Sequence, residues 1–187
     1  LLVGHVRLRA GRDADGPRRQ LDDPARRLPL AVPGAQLPAD IFDPTRSERS
    51  DAARRLVDAL RRADGLLIAT PAYHGGISGL VKNALDFTED LRSDARVYLS
   101  GRAVGCIVCA DGAQAMGSRL AALRTIVHAL RGWPTPFGAT LNASAKPFGA
   151  PGQEADPAAL QACALVADEV VQFAQWQHAA RRVTAAS

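Results

Sequence analysis

Two short stretches of the chain combine glycine with polar or aromatic residues that could meet a bound molecule. The first stretch is Tyr73-His74-Gly75-Gly76, and the second is Ala110-Asp111-Gly112-Ala113. Glycine lacks a Cβ atom, so the backbone of such a loop can approach a ligand very closely. The two stretches therefore predict ligand-binding loops.

A pair of cysteines and a serine motif could in principle bind metal or act as a nucleophile, but neither lies in the structural context that this chemistry requires. Cys106 and Cys109 have a spacing that can bind zinc or carry out redox chemistry, but no second pair completes a metal site. Both lie in residues 103–109, a predicted buried strand in which side chains three positions apart point to opposite faces. Core packing is the better interpretation. Ser78 lies in a segment that lacks the last glycine of G-x-S-x-G, and it follows the turn, so a hydrolase is set aside.

The first candidate loop lies between a predicted strand and a predicted helix. Residues 66–69 are apolar or small and indicate a buried strand, which Thr70-Pro71 is expected to end because proline cannot donate to a ladder. Ser78 is a predicted N-cap, and apolar residues follow it at helical spacing. In an open parallel sheet this unit places its loop at the carboxyl end of the strand, where such folds bind ligands.

This region resembles the signature of the NADPH-dependent FMN reductase family, A-T-P-x-Y-x-x-x-x-x-G-x-x-K-N-A-L-D. Every fixed position is met, by Ala69, Thr70, Pro71, Tyr73, Gly79, Lys82, Asn83, Ala84, Leu85 and Asp86. The resemblance implies FMN as cofactor and NADPH, or alternatively NADH, as reductant. It further implies that hydride moves to the bound flavin and on to a small-molecule acceptor, a free flavin or a quinone.

Alternating strand and helix patterns predict an α/β fold. With FMN as the implied ligand, we expect a flavodoxin-like doubly wound parallel sheet of about five strands, in the order 2-1-3-4-5, with helices on both faces and a single domain over residues 1–187. Residues 1–44 match the family poorly. The predicted strands are at 1–4, 28–32, 66–69, 103–109 and 137–141. The first predicted helix is capped by Ser47 or Ser50 and ends at 64–65, and the second follows the strand at 66–69. Two more helices are predicted from Met116 to Leu130 and from Pro157 to about residue 181.

The resemblance also assigns residues to the flavin. One side of the ring is expected to contact Pro71, Ala72, Tyr73, His74, Gly75 and Gly76, and the other side Ala110, Asp111, Gly112 and Ala113. Because the cofactor carries the chemistry, no side chain is assigned as acid, base or nucleophile. Two assignments have open alternatives: Tyr73 contacts either the ring or a partner subunit, and His74 either tunes the reduced flavin or is a hydrogen-bonded loop residue.

The start of the chain departs from the family. The family motif G-S-x-R-x-x-S holds the FMN phosphate, and here Gly4 and Arg7 match it while His5 and Ala10 replace the serines. Arg7 is therefore the one candidate phosphate ligand carried over from the motif. We expect weakened FMN binding, unless Arg7 and neighbouring arginines form a new phosphate clamp.

Composition limits location and partners. The chain has 187 residues, 47% of them hydrophobic and 22% charged, which is typical of a soluble globular protein. Because neither an apolar run of roughly 20 residues nor a signal peptide is evident, a cytoplasmic protein without membrane contact is expected. The net charge is +4, but the amino-terminal arginines alternate with Asp and Pro and no aromatic residues interleave with them, so no nucleic-acid partner is expected.

Two further expectations concern assembly and the acceptor. Family resemblance, with Tyr73 and Phe87 as large groups that a monomer would leave partly exposed, predicts a homodimer or tetramer. A quinone, azo-dye or metal-oxyanion reductase on the same site remains an alternative. So does a non-catalytic FMN carrier with a degraded phosphate loop.

Overall fold

A mixed sheet with helices on both faces forms the centre of the computed structural model, which describes residues 2–6, 30–112, 116–149 and 154–186. The strands are β1 (Leu2–Val6), β2 (Leu30–Pro33), β3 (Gly65–Tyr73), β4 (Gly76–Ile77), β5 (Ala103–Ala110), β6 (Trp133–Pro134) and β7 (Ala139–Asn142). The α-helices are α1 (Asp51–Arg62), α2 (Gly79–Asp86), α3 (Met116–Ala129) and α4 (Pro157–Ala186), and short 3-10 helices span Gly34–Gln36, Phe87–Leu91 and Ala143–Ala145. The α/β class agrees with the sequence prediction.

The sheet follows the path β2-β1-β3-β5-β6, with β4 paired to β3 and β7 paired to β5. β3 and β5 pair in parallel from Gly65 and Ala103 to Pro71 and Cys109. β6 and β7 also run parallel to β5. Neighbouring parallel strands need a crossover connection. Along the chain, α2 lies in the connection from β3 to β5, and α3 lies in the connection from β5 to β6 and β7. These strands and crossovers form the doubly wound part of the fold.

The prediction of a parallel sheet is wrong at β1, which runs antiparallel to both β2 and β3. A parallel pair of consecutive strands needs a crossover, usually a helix, whereas an antiparallel pair does not. The sequence between β1 and β2 has no sustained helical period.

One face of the sheet packs against α1, α2 and α3. Ser50 caps α1 by accepting a hydrogen bond from Ala53 N at 3.2 Å, one of the two predicted caps. The helices and strands share one buried cluster, which includes Leu56, Leu60, Leu66, Ile68, Val81, Leu85, Val104, Cys106, Val108, Leu123 and Val127. This cluster is the main core of the described chain.

The opposite face carries α4, which approaches the sheet most closely at two glycines. A Cβ atom on Gly65 would lie 2.6 Å from Val170 Cγ1, and one on Gly105 would lie 2.4 Å from Val166 Cγ1. Contacts this short are not tolerated, so the absence of side chains at these positions lets the helix pack directly on β3 and β5. Both valines are fully buried.

Several boundaries and burial expectations need correction. The predicted strand at residues 137–141 is β7 at Ala139–Asn142, and α4 continues to Ala186, beyond residue 181. Phe87, expected to be partly exposed, is 1% exposed because it packs edge-on against Phe42 with ring centroids 5.3 Å apart. It cannot contribute to a subunit interface in this conformation. No described helix is both long and apolar enough to cross a membrane.

Candidate functional site

The first predicted loop is the tip of a β-hairpin. β3 continues through Pro71 to Tyr73, and the chain returns in β4, with Ala72 opposite Ile77 and Tyr73 opposite Gly76. The prediction that Thr70-Pro71 ends the strand is therefore wrong. Among the described residues β1 pairs with β3 only as far as Ala69, so Pro71 interrupts no described β1–β3 hydrogen bond.

The turn itself uses two residues with positive φ. His74 has φ +46° and Gly75 has φ +92°, as in the type I′ turns that join two-residue hairpins. The side chain of His74 is exposed at the tip, and Tyr73 is 60% exposed. Both side chains are accessible to a ligand or a partner, so the alternatives for each remain open.

Hydrogen bonds close the base of the hairpin. The Thr70 hydroxyl donates to Pro71 O at 2.8 Å and accepts from Ser78 N at 3.3 Å. Ser78 N also donates to Pro71 O at 3.0 Å. Ser78 holds the N-cap position of α2, as predicted, but its side chain makes no capping hydrogen bond. The signature Thr70 thus fixes the geometry of the loop.

The glycines of this region leave space where a ligand could approach the backbone. A Cβ atom built on Gly75, Gly76 or Gly112 meets no atom within 4 Å. Gly75 and Gly112 have φ +92° and +89°, which favours glycine for conformational reasons. Gly76 has no such requirement, so the turn does not account for its missing side chain.

The second loop lies beside the first because β3 and β5 are adjacent, with Pro71 in register with Cys109. Ala110 ends β5 and is 6% exposed, and Asp111 and Gly112 follow it on the surface. The two predicted ligand loops therefore meet at the carboxyl edge of the parallel strands. Ala113 and Arg7 lie outside the described residues.

Residues after β7 hold the second loop in place. The Ser144 hydroxyl donates to Asp111 Oδ1, and Gly112 N donates to Asn142 Oδ1 at 3.4 Å. Asn142 Oδ1 also accepts from Ser144 N at 3.1 Å. Sequence reasoning missed Asn142 and Ser144. Their position at the carboxyl end of the next parallel strand is the signal that could have identified them.

Signature residues on α2 support the site without facing it. Lys82 Nζ lies 2.5 Å from Asp86 Oδ1, an ion pair between residues four apart on one helix. Asn83 accepts from Phe42 N at 2.8 Å and donates to Asp40 O at 2.9 Å and Pro38 O at 3.3 Å. Asn83 therefore fastens residues 38–42 to the helix, a role that was not predicted.

Of the three cysteines, only Cys106 lies in the core. Cys106, Cys109 and Cys163 are all free thiols, and burial raises the pKa of Cys106 to about 11. Cys106 is fully buried on the face covered by α1 to α3, whereas Cys109 is half-buried on the other face, as strand alternation predicts. Within the residues that the structure describes, no group of three or more His, Cys, Asp or Glu side chains could hold a metal ion.

A glycine-bearing hairpin and a second glycine loop lie at the carboxyl edge of parallel strands, which is where open α/β sheets bind ligands. Residues 29–146, more than half of the chain, match the family model described as NADPH-dependent FMN reductase. The chain belongs to this family.

Individual relatives are more distant. The chain is 30% identical over 82 residues to an iron-sulfur flavoprotein of Archaeoglobus fulgidus, covering 44% of this chain and 40% of that protein. It is 35% identical over 48 residues to an NADPH azoreductase of a Bacillus species, covering 25% of this chain and 27% of that protein. An oxidoreductase structure from Corynebacterium diphtheriae aligns with a TM-score of 0.46 and 23% identity, over 70% of this chain and 64% of that one. The chain thus spans less than half the length of the two curated relatives.

Proposed function

We propose that this chain is a single-domain, FMN-dependent NAD(P)H oxidoreductase of the FMN reductase type. Bound FMN would accept hydride from NADPH and pass electrons to a free flavin or another small acceptor. The observation that carries the proposal is the pair of glycine loops at the carboxyl edge of β3 and β5, one of them built from the family signature. Family membership supports it.

The chain's own residues would position the ring and keep it ordered. Gly75 and Gly76 leave room for the ring to lie against the hairpin backbone, and Gly112 does the same from the neighbouring loop. Thr70 holds the hairpin closed, and Asn142 and Ser144 hold the second loop. Tyr73 would contact the ring or a second subunit. His74, exposed at the turn, is available to the ring edge.

The central test is flavin binding and reduction. FMN is added to the purified protein, and NADPH is then added without oxygen while the absorption of the bound flavin is recorded. Bleaching of bound FMN by NADPH is expected. FMN that binds but is not reduced by NADPH or NADH would instead support the non-catalytic carrier, and comparison of acceptors would separate a free flavin from an azo dye or a quinone.

Gly76→Val tests the position of the ring. The new side chain would occupy the open space beside β4, while valine suits a strand, so the fold should be retained. We expect FMN affinity to fall at least tenfold, about 1.4 kcal/mol. Ala95→Val, at an exposed position next to Asp94, which pairs with Arg61 near the amino end of β3, is the control. Unchanged FMN affinity in Gly76→Val would remove the hairpin from the flavin site.

The phosphate end of the site needs its own titration. Hydrogen bonds to a charged group contribute about 1.5 to 3 kcal/mol each, so loss of the motif serines at His5 and Ala10 is expected to weaken FMN binding about a hundredfold relative to intact relatives. A submicromolar dissociation constant that is lost in Arg7→Ala would show that arginines have rebuilt the phosphate site.

A homodimer or tetramer is part of the proposal. Tyr73 is 60% exposed and Leu80, on the first turn of α2, is 39% exposed, so the signature region presents apolar surface that a second copy could cover. Sedimentation should show at least a dimer at micromolar concentration. A species of about 20 kDa would contradict it.

A further inference from the structure

Within the described part of the chain, the sheet face that carries α4 is only half-buried over the carboxyl halves of β3 and β5. In β3, alternate residues Leu66, Ile68 and Thr70 are buried by the helices on the first face. Leu67, Ala69 and Pro71 point to the α4 face and are only half-buried. Ile107 and Cys109 on β5 show the same pattern. The exposed strip is continuous, because these strands are adjacent and in register.

A cavity of about 690 Å³ lies over this strip, between the sheet and the first turns of α4. Leu67, Ala69, Ile107 and Cys109 contribute to its floor, Ala164 to its helical wall, and Phe148, which is 54% exposed, to its rim. Ligand cavities in proteins range from roughly 300 to 1,000 Å³ and occur at the carboxyl ends of strands in open α/β sheets. The size and place are those of a small-molecule site.

The cavity is lined by small side chains, while α4 is held close to the sheet at Gly65 and Gly105. The floor includes Ala69 and Cys109, and the wall consists of Cys163, Ala164 and Ala167. α4 cannot move closer to the sheet and close the cavity, because Val166 and Val170 already lie directly over Gly105 and Gly65. The void therefore follows from residue size and not from loose packing of α4.

The chemistry of the lining selects the ligand. Among the described residues, no charged side chain lines the cavity, and the Thr70 hydroxyl already donates to Pro71 O. Burial raises the pKa values of Cys109 and Cys163, which keeps both thiols neutral near pH 7. A charged group would lose its hydration here without a partner, which is costly, whereas burial of hydrocarbon is favourable by about 25 cal/mol per Å².

We propose that this cavity is a second binding site, which takes an uncharged, largely hydrocarbon small molecule. It is distinct from the flavin site, because FMN carries a phosphate that the cavity cannot neutralise. The glycine loops that would hold the ring lie beyond the strand ends, whereas the cavity lies over the strands themselves. The two sites are adjacent, since Pro71 belongs to both.

The test is a fluorescence titration of the intact chain with Nile red, an uncharged dye that brightens in apolar surroundings. Ala164→Phe fills the cavity from its helical wall. Ala179→Phe introduces the same side chain at an exposed position further along α4 and is the matched control. We expect saturable binding to the wild type, at least a tenfold loss of affinity in Ala164→Phe and no change in Ala179→Phe.

Two further arms separate this site from the alternatives. If Ala164→Phe unfolds, as judged by circular dichroism, the smaller change Ala167→Leu replaces it and should lower dye affinity in the same direction. The titration is repeated with FMN in excess, which should leave the dye affinity unchanged. Absence of saturable binding, equal affinity in the filled variants, or competition by FMN would each overturn the proposal. Failure of flavin reduction alone would leave it standing.

Discussion

The two faces of the sheet use the same strands and are covered to different extents. On the face of α1, α2 and α3, the strand residues Leu66, Ile68, Val104 and Val108 are at most 1% exposed. On the face of α4, the carboxyl halves of β3 and β5 are only half-buried, although Ala139 and Leu141 of the neighbouring β7 are buried. Near-continuous apolar strands predict burial on both faces. The helices above them decide whether that burial is complete.

The largest expected effect comes from truncating matched isoleucines on the two faces. Ile68→Ala removes a side chain from the main core and should lower the free energy of unfolding by about 2 to 5 kcal/mol. Ile107→Ala, on the half-open face, should cost less than half as much because solvent already reaches the site. Urea unfolding of both variants measures the difference. Equal losses would mean that both faces are covered in solution.

A second substitution tests why α4 lies where it does. Gly105→Ala places a methyl group 2.4 Å from Val166 Cγ1 and 2.6 Å from Leu67 Cδ2, and overpacking of this kind costs about 1 to 3 kcal/mol. The same change at Gly117, which has open space at the start of α3, should be neutral or slightly stabilising. If Gly105→Ala is as stable as Gly117→Ala in thermal unfolding, α4 is free to move away from the sheet.

Local sequence patterns predict some features of this fold and miss others. The α1 cap at Ser50, the strands β3 and β5 and the proximity of the two glycine loops follow from patterns that are local or that any parallel sheet imposes. The continuation of β3 through Pro71 was not predicted, because it depends on where β1 stops pairing. The positive φ of His74, the direction of β1 and the open half-face depend on tertiary packing, which no local pattern reports.

Polar contacts on the covered face provide a third, smaller test. Asn83→Ala removes the partners of Phe42 N, Asp40 O and Pro38 O, and we expect a loss of about 1 to 2 kcal/mol in the free energy of unfolding. Lys82→Ala, one residue away, breaks only an exposed pair with Asp86 and should cost less than about 0.5 kcal/mol. Chemical denaturation of both variants gives the comparison. Similar losses would show that solvent replaces the contacts of Asn83.

The smallest effect uses two cysteines three residues apart. Burial raises the pKa of Cys106 to about 11 from an ordinary value of 9.0. As the pH rises above 9, the Cys106 thiol loses its proton in the unfolded chain and keeps it in the folded chain. The free energy of unfolding therefore falls, by about 1 kcal/mol near pH 10.

The difference in unfolding free energy between wild type and Cys106→Ala should therefore shrink between pH 8 and 10. The same substitution at Cys109, half-buried on the open face, should leave a difference that changes less with pH. N-ethylmaleimide should likewise modify Cys109 before Cys106 in the folded protein, because solvent reaches Cys109 but not Cys106. Equal rates of modification, with equal pH dependence, would mean that the covered face opens as readily as the other.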